Sequence, residues 1–217
     1  MSHQYLLLST ARAWLALVMV MTAQSAEVPL FDGTTLTGWQ GETERIWRVQ
    51  DGVIVGGSME GVKNNEFLAT NERYSNFILR LEWKLVGTEG FINSGVQVRS
   101  ERIEKPAHEM IGYQADIGKG WTGSIYDESR RKKIIAQADK AQVEAIEKPG
   151  EWNKYEIRCE GPRIRLSVNG VQTVDYTETD STIPLSGRIA VQIHGGAKAE
   201  AFFRHITIEV LPDTPQP

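Results

Sequence analysis

The chain has 217 residues, a formal net charge of −4 and one cysteine, Cys159. Its 24 Lys and Arg against 28 Asp and Glu are scattered, which argues against a nucleic-acid partner. A lone thiol cannot form an intramolecular disulfide, so the fold must hold on packing alone.

The first residues read as an address. Arg12 precedes the apolar run Trp14 to Ala23, and the small-residue stretch AQSA follows, the pattern of a secretory signal over residues 1–25. The run is shorter than the roughly 20 residues that span a bilayer, so no membrane insertion is expected after cleavage. An exported protein, periplasmic or extracellular, follows. The remainder is long enough for one domain, residues 26–211, with 212–217 as a tail.

Along that domain the dominant signal is alternation with a period of two. IWRVQDGVIVGG reads as a hairpin turning at Gln50–Asp51–Gly52. In NFILRLEWKL, Phe77, Leu79, Leu81 and Trp83 fall on one face, with Arg80, Glu82 and Lys84 on a solvated one. INSGVQVRS and GYQADIG alternate in the same way. AQADKAQVEAIE, residues 136–147, is rich in helix formers and stops at Pro149–Gly150, so a short surface helix is expected there. YEIRCE places Cys159 inward. RIRLSVNGVQTVDY is two strands around Asn169–Gly170. GRIAVQIHGG and FFRHITIEV complete the series. Many short strands between Gly-rich turns predict an all-β protein, a two-sheet antiparallel β-sandwich.

Three strands carry unusual cargo on their non-core faces: Gln97 with Arg99, Gln114 with Asp116, and Gln192 with His194. Amides, one guanidinium, one carboxylate and one imidazole supply donors and acceptors suited to a hydroxyl-rich ligand. Trp121, on a loop with Gly118, Gly120 and Gly123, offers a flat apolar partner for a sugar ring, and Tyr126 follows it. Asn93 sits just before the Gln97 strand, and Glu66 in NNEFLAT opens either onto the surface or into the site. His108 and His205 have no partner by sequence and read as structural. No GxxxxGK[ST], HExxH, paired-cysteine or G-x-S-x-G motif is present. Glu178–Thr179–Asp180 begins the E-x-D-x-x-E strand motif of sandwich glycosidases, but Ile183 stands at its last position. Two-carboxylate glycosidase chemistry therefore lacks its signature.

LFDGTTLTGW, WRVQDGVIVG, NEFLAT, INSGVQVRS, GYQADIG, GSIYDE, EWNKYEI, VNGV and IAVQIHGG occur in this order between Val28 and Leu211. Together they resemble the bacterial 3-keto-disaccharide hydrolase domain family. The resemblance implies a concanavalin-like jelly-roll sandwich and action on glycosides whose sugar a partner oxidoreductase has oxidised at C3. A C3 ketone acidifies the C2 hydrogen, so elimination expels the aglycone from C1, and water then completes net hydrolysis. Such chemistry needs a base at C2, donors at the C3 oxygen and an acid for the leaving group. His194 is the expected base, because imidazoles titrate near neutrality. Asp116 is the orienter or alternative base, and Glu66 or Tyr126 the acid. Arg99, Gln114 and Gln192 hold the oxyanion and hydroxyls, with Asn93, Gln97 and Trp121 completing the substrate contacts. No cofactor is expected; the alternative is a divalent cation on Asp116, His194 and Glu66. The competing class is a non-catalytic, lectin-like carbohydrate-binding module.

Overall fold

The computed structural model describes residues 26–213; the expected signal segment lies outside them. Its first half contains β1 (Val28–Pro29), β2 (Trp39–Gln40), β3 (Trp47–Gln50), β4 (Val53–Ser58), β5 (Glu66–Thr70), β6 (Phe77–Glu89) and β7 (Asn93–Arg102). Then come β8 (Met110–Gly118), β9 (Ile125–Glu128), β10 (Ile134–Ala136) and α1 (Lys140–Ile146). The chain finishes with β11 (Asn153–Glu160), β12 (Arg163–Val168), β13 (Val171–Thr177), β14 (Arg188–Ile193) and β15 (Lys198–Val210).

These strands form two antiparallel sheets, the expected sandwich. The back sheet runs β13-β12-β11-β6-β15-β4-β3, with β1 added along β15, and the front sheet runs β10-β9-β8-β7-β14-β5-β2. The alternation in the sequence explains the packing. Phe77, Leu79, Leu81 and Trp83 of β6 are buried against Val96 and Val98 of β7, Tyr113, Ala115 and Ile117 of β8, and Val191 and Ile193 of β14. Each fully buried side chain of this size stabilises the fold by about 1.5–3 kcal/mol. Cys159 is fully buried in this core, and burial pushes its thiol up to about 12, so it packs as a small apolar residue. Both expected hairpins close on consecutive positive-φ residues, Asp51–Gly52 at 52° and 77° and Asn169–Gly170 at 50° and 85°.

The outer face of the back sheet is ion-paired. Arg80 meets Glu156 at 2.8 Å and Glu27 at 2.9 Å, and Arg204 meets Glu82 at 2.8 Å.

Two expectations need correction. The helix begins at Lys140, not at residue 136, because Asp139 caps it, accepting from the Gln142 amide at 2.9 Å. Ile134 and Ala136 instead pair with β9. Arg99 does not share the face of Gln97. The register of β7 against β8 shifts between Val98 and Glu101, and Arg99 itself has φ of 49°. That bulge turns its side chain away: the guanidinium donates to Ser75 O and Asn76 Oδ1, just before β6, and to Gly161 O in the turn that joins β11 to β12 of the back sheet. Ser100 takes the place beside Gln97, donating to its Oε1 at 2.6 Å.

Candidate active site

The strand order β8-β7-β14 makes the three polar strands neighbours. In register, Gln97 lies opposite Gln114, and Gly95 lies between Asp116 on one side and Gln192 on the other. Gln97, Gln114, Asp116 and Gln192 are all buried. Gly95 is what admits them: a Cβ there would lie 2.5 Å from the Gln114 side chain, which folds across the glycine. The amides form a directed chain. Ser100 Oγ donates to Gln97, Gln97 Nε2 to Gln114 Oε1 at 2.9 Å, and Gln114 Nε2 to Asp116 Oδ1 at 2.7 Å. Each donor in the series points toward the carboxyl group and polarises the next.

Asp116 Oδ2 is buried and has no hydrogen-bond partner among the described residues. Burial pushes the carboxyl up to about 7; the Glu128 charge adds to the rise, and the Gln114 and Asn93 amides oppose it. Glu128, on β9, is likewise pushed up to about 7, by burial first and then by the charge of Glu109. Two carboxyls in one pocket are thus both raised toward neutrality, each chiefly by burial.

The pocket that joins them encloses about 130 Å³. Asp116, Gln114, Asn93 and Glu128 form its polar lining, and Trp121, Tyr126, Phe91 and His194 its aromatic wall, with Asn65 at the rim. The rings meet edge to face, with centroids 4.9 Å apart for Phe91–His194, 5.9 Å for Phe91–Trp121 and 6.3 Å for Trp121–Tyr126. His194 Nδ1 lies 2.7 Å from Gly195 O, so that nitrogen is committed to the backbone and Nε2 is left for a ligand. Binding sites for small molecules usually enclose about 300–1,000 Å³, so this one is small for such a site.

The loop carrying Trp121 is braced. Thr122 Oγ1 accepts from Gly118 N at 2.9 Å, Trp121 N donates to Gly118 O at 2.8 Å, and Gly123 N donates to Tyr155 Oη at 2.8 Å. Tyr155 reaches it from the back sheet and also donates to Asp116 O.

Of the residues expected from sequence, Asp116, His194, Tyr126, Asn93, Gln114 and Trp121 line the pocket together. Gln97 and Gln192 lie beneath it on the same sheet face. Gln97 orients Gln114, whereas both polar atoms of the Gln192 amide are buried without a partner. Arg99 is elsewhere, for the reason given above. Glu66 does not line the pocket: it is half-buried at the start of β5, where burial raises its carboxyl and its charged neighbours include His108, Glu42 and Arg102. The structure therefore does not assemble Asp116, His194 and Glu66 around one point, and no three His, Cys, Asp or Glu among the described residues converge on a cation position.

Three contributors were missed. Glu128 follows Tyr126 by two positions in one strand, so alternation alone could have placed it. Phe91 and Asn65 sit in irregular segments and carry no periodic signal.

Fold and pocket together define a jelly-roll β-sandwich with an acid-lined cavity on the outer face of one sheet. The model of the 3-keto-alpha-glucoside-1,2-lyase-like domain matches residues 26–209, and the chain belongs to that family. Its role is therefore carbohydrate-related. Two solved structures from Parabacteroides distasonis, each described as a candidate glycosyl hydrolase, are similar. One is 25% identical, covering 86% of this chain and 100% of that one, with a TM-score of 0.63. The other is 22% identical over 86% and 94% of the two chains, with a TM-score of 0.64. The carbohydrate-binding module CBM66 from Bacillus subtilis shares the fold at 15% identity, over 79% and 95%, with a TM-score of 0.60. No curated protein matched the chain.

Proposed function

We propose that the protein cleaves glycosides whose sugar carries a ketone at C3, by removing the C2 proton and expelling the aglycone from C1. The observation that carries this reading is Asp116, a buried carboxyl with one oxygen unbonded and a pKa near neutrality, in a pocket shared with Glu128. Near pH 7 two such groups hold about one proton between them, so one can accept a proton while the other gives one.

In this scheme Asp116 Oδ2 takes the hydrogen from C2, and the C–H electrons become the C1–C2 double bond of an unsaturated 3-keto sugar. The C1–O bond breaks, and its electron pair leaves on the aglycone oxygen, which Glu128 or Tyr126 protonates. The Asn93 amide faces the developing charge on the C3 oxygen. Asp116 is placed ahead of His194 as the base because its Oδ2 is buried in the pocket without a partner among the described residues; His194, whose Nδ1–H donates to Gly195 O, keeps Nε2 as an acceptor and is the second candidate. Addition of water to the unsaturated product gives net hydrolysis. Trp121 and Phe91 supply apolar faces for the ring. A sugar C3 oxidoreductase must supply the substrate, an oxidised oligosaccharide or glycoside. Export is part of the same proposal; no helix among the described residues is long and apolar enough to cross a membrane.

The likeness to a carbohydrate-binding module favours a second reading, binding without chemistry. Incubation with a 3-keto-disaccharide and with its unoxidised parent, followed by NMR, separates the two. The enzyme reading requires loss of the C2 proton and release of the aglycone from the keto substrate alone. Saturable binding of the parent sugar with no product from either substrate would overturn it.

A further inference from the structure

A second and larger cavity, about 720 Å³, opens on the other side of the loop that carries Trp121. Its size is that of a small-molecule site, and the sandwich itself builds it. Trp83 and Leu85 of β6, Ile92 before β7 and Val143 of α1 give it apolar walls. Gly118, Gly120 and Thr122 close it from the loop. Neighbouring residues thus face different spaces: Phe91, Asn93 and Trp121 look into the acidic pocket, Ile92 and Thr122 into the apolar one.

Lys119, Lys140, Glu144 and Glu147 also line the larger cavity, two cations against two carboxylates, so the lining favours no net charge on a ligand. Thr122 Oγ1 donates to Glu147 Oε1 at 2.8 Å, and Glu147 also lines the cavity. Burial raises the Glu147 carboxyl, and it makes no ion pair; its second oxygen has no hydrogen-bond partner among the described residues. An acceptor set in a largely apolar wall of balanced charge suits a ligand that brings a hydrogen-bond donor and no net charge. We propose that this cavity binds an uncharged apolar ring system bearing a hydroxyl group, with the hydroxyl donating to Glu147 and the rings packed on Leu85, Ile92 and Val143. Such an alcohol or phenol has the chemistry of the aglycone that the proposed elimination would release. That link rests on the functional reading above, whereas the binding itself does not.

The test is calorimetric titration of the intact protein with 2-naphthol and with naphthalene, in the absence of any glycoside. One saturable site for 2-naphthol is expected, with naphthalene at least tenfold weaker. Val143→Trp fills the cavity and should abolish binding. Because that variant disturbs α1, Glu147→Leu is measured beside it. A folded Glu147→Leu protein, checked by circular dichroism, should bind the two probes equally. Failure of 2-naphthol to bind, or binding that neither substitution alters, would overturn the proposal. Turnover of 3-keto-disaccharides has no bearing on either outcome, so the two readings fail separately.

Discussion

The two outer faces of the sandwich follow the same alternation and reach opposite electrostatic ends. On the back sheet every carboxylate in the central network has an arginine: Glu156 and Glu27 share Arg80, and Glu82 has Arg204. These groups are partly exposed, so water and partner both satisfy them. On the front sheet Asp116 is buried and Glu128 half-buried, and neither makes an ion pair with an arginine among the described residues. Amides and neighbouring carboxylates dominate their surroundings, with Lys132 acting on Glu128 too weakly to offset burial, and both rise to about 7. The same pattern of polar residues on a strand can therefore end as a solvated surface or as a reactive cavity. What separates the two is whether cations and water come with it.

The sharpest way to break the contrast is Asp116→Asn. The amide retains an oxygen for the Gln114 hydrogen bond but cannot take a proton, so turnover of a 3-keto-disaccharide should fall about 10²–10⁴-fold. Stability should hold or rise, since a desolvated carboxyl is gone; steady-state kinetics and thermal unfolding check both. A fall in melting temperature at pH 7.5 would contradict this account of the site.

Glu178 tests the opposite case, a buried carboxyl that is fully partnered. It accepts from Asp180 N at 2.9 Å, Tyr113 Oη at 2.7 Å, Arg131 Nη2 at 2.9 Å and Tyr176 Oη at 2.9 Å, and these bonds, the Asp180 amide first, hold its pKa at about 2 despite burial. Glu178→Ala should cost about 3 kcal/mol in denaturant unfolding, because it leaves two hydroxyls and a backbone amide without their acceptor and Arg131 with Asp127 as its remaining ion-pair partner.

The pH dependence of stability separates the two kinds of carboxyl by sign. Glu178 is depressed in the fold, so its contribution is present above about 4.5, the unfolded value, and is lost as pH falls toward about 2. Asp116 and Glu128 are raised, so the folded state holds their protons more tightly, and stability declines as pH rises from about 4 to about 7. In Asp116→Asn that upper decline should flatten while the acid limb stays. Urea midpoints measured from pH 3 to 9 would show it.

Smaller effects should follow at the periphery. Trp121→Ala should raise KM about tenfold with little change in kcat, the mark of a stacking contact made equally in ground and transition states. Arg80→Ala on the back sheet should cost less than about 1 kcal/mol and lose even that at high salt.

The sandwich was legible because alternation reports burial directly. Phe77–Leu79–Leu81–Trp83 and Ile189–Val191–Ile193 each named their inward face, and two Asx–Gly pairs named their hairpins. The site was legible where it rode on that alternation, as Gln114, Asp116 and Tyr126 did. It failed where the backbone left the pattern. Arg99 sits on a bulge, which two-residue counting cannot see. Glu66 opens a strand whose end turns toward His108 and Arg102. Phe91 and Asn65 come to the pocket through irregular segments, by tertiary approach alone.

The Arg99 bulge has one more consequence. Its guanidinium, lowered by burial yet fixed as a cation under any physiological condition, is met by backbone carbonyls and an asparagine oxygen and, among the described residues, by no carboxylate. Acid cannot discharge those partners, nor can mild base discharge the arginine. The strand that underlies the cavity is thus riveted to the opposite sheet at one end by a joint indifferent to pH, while its other end borders groups that gain and lose protons near neutrality. Protonation in the cavity can change charge without loosening the floor beneath it.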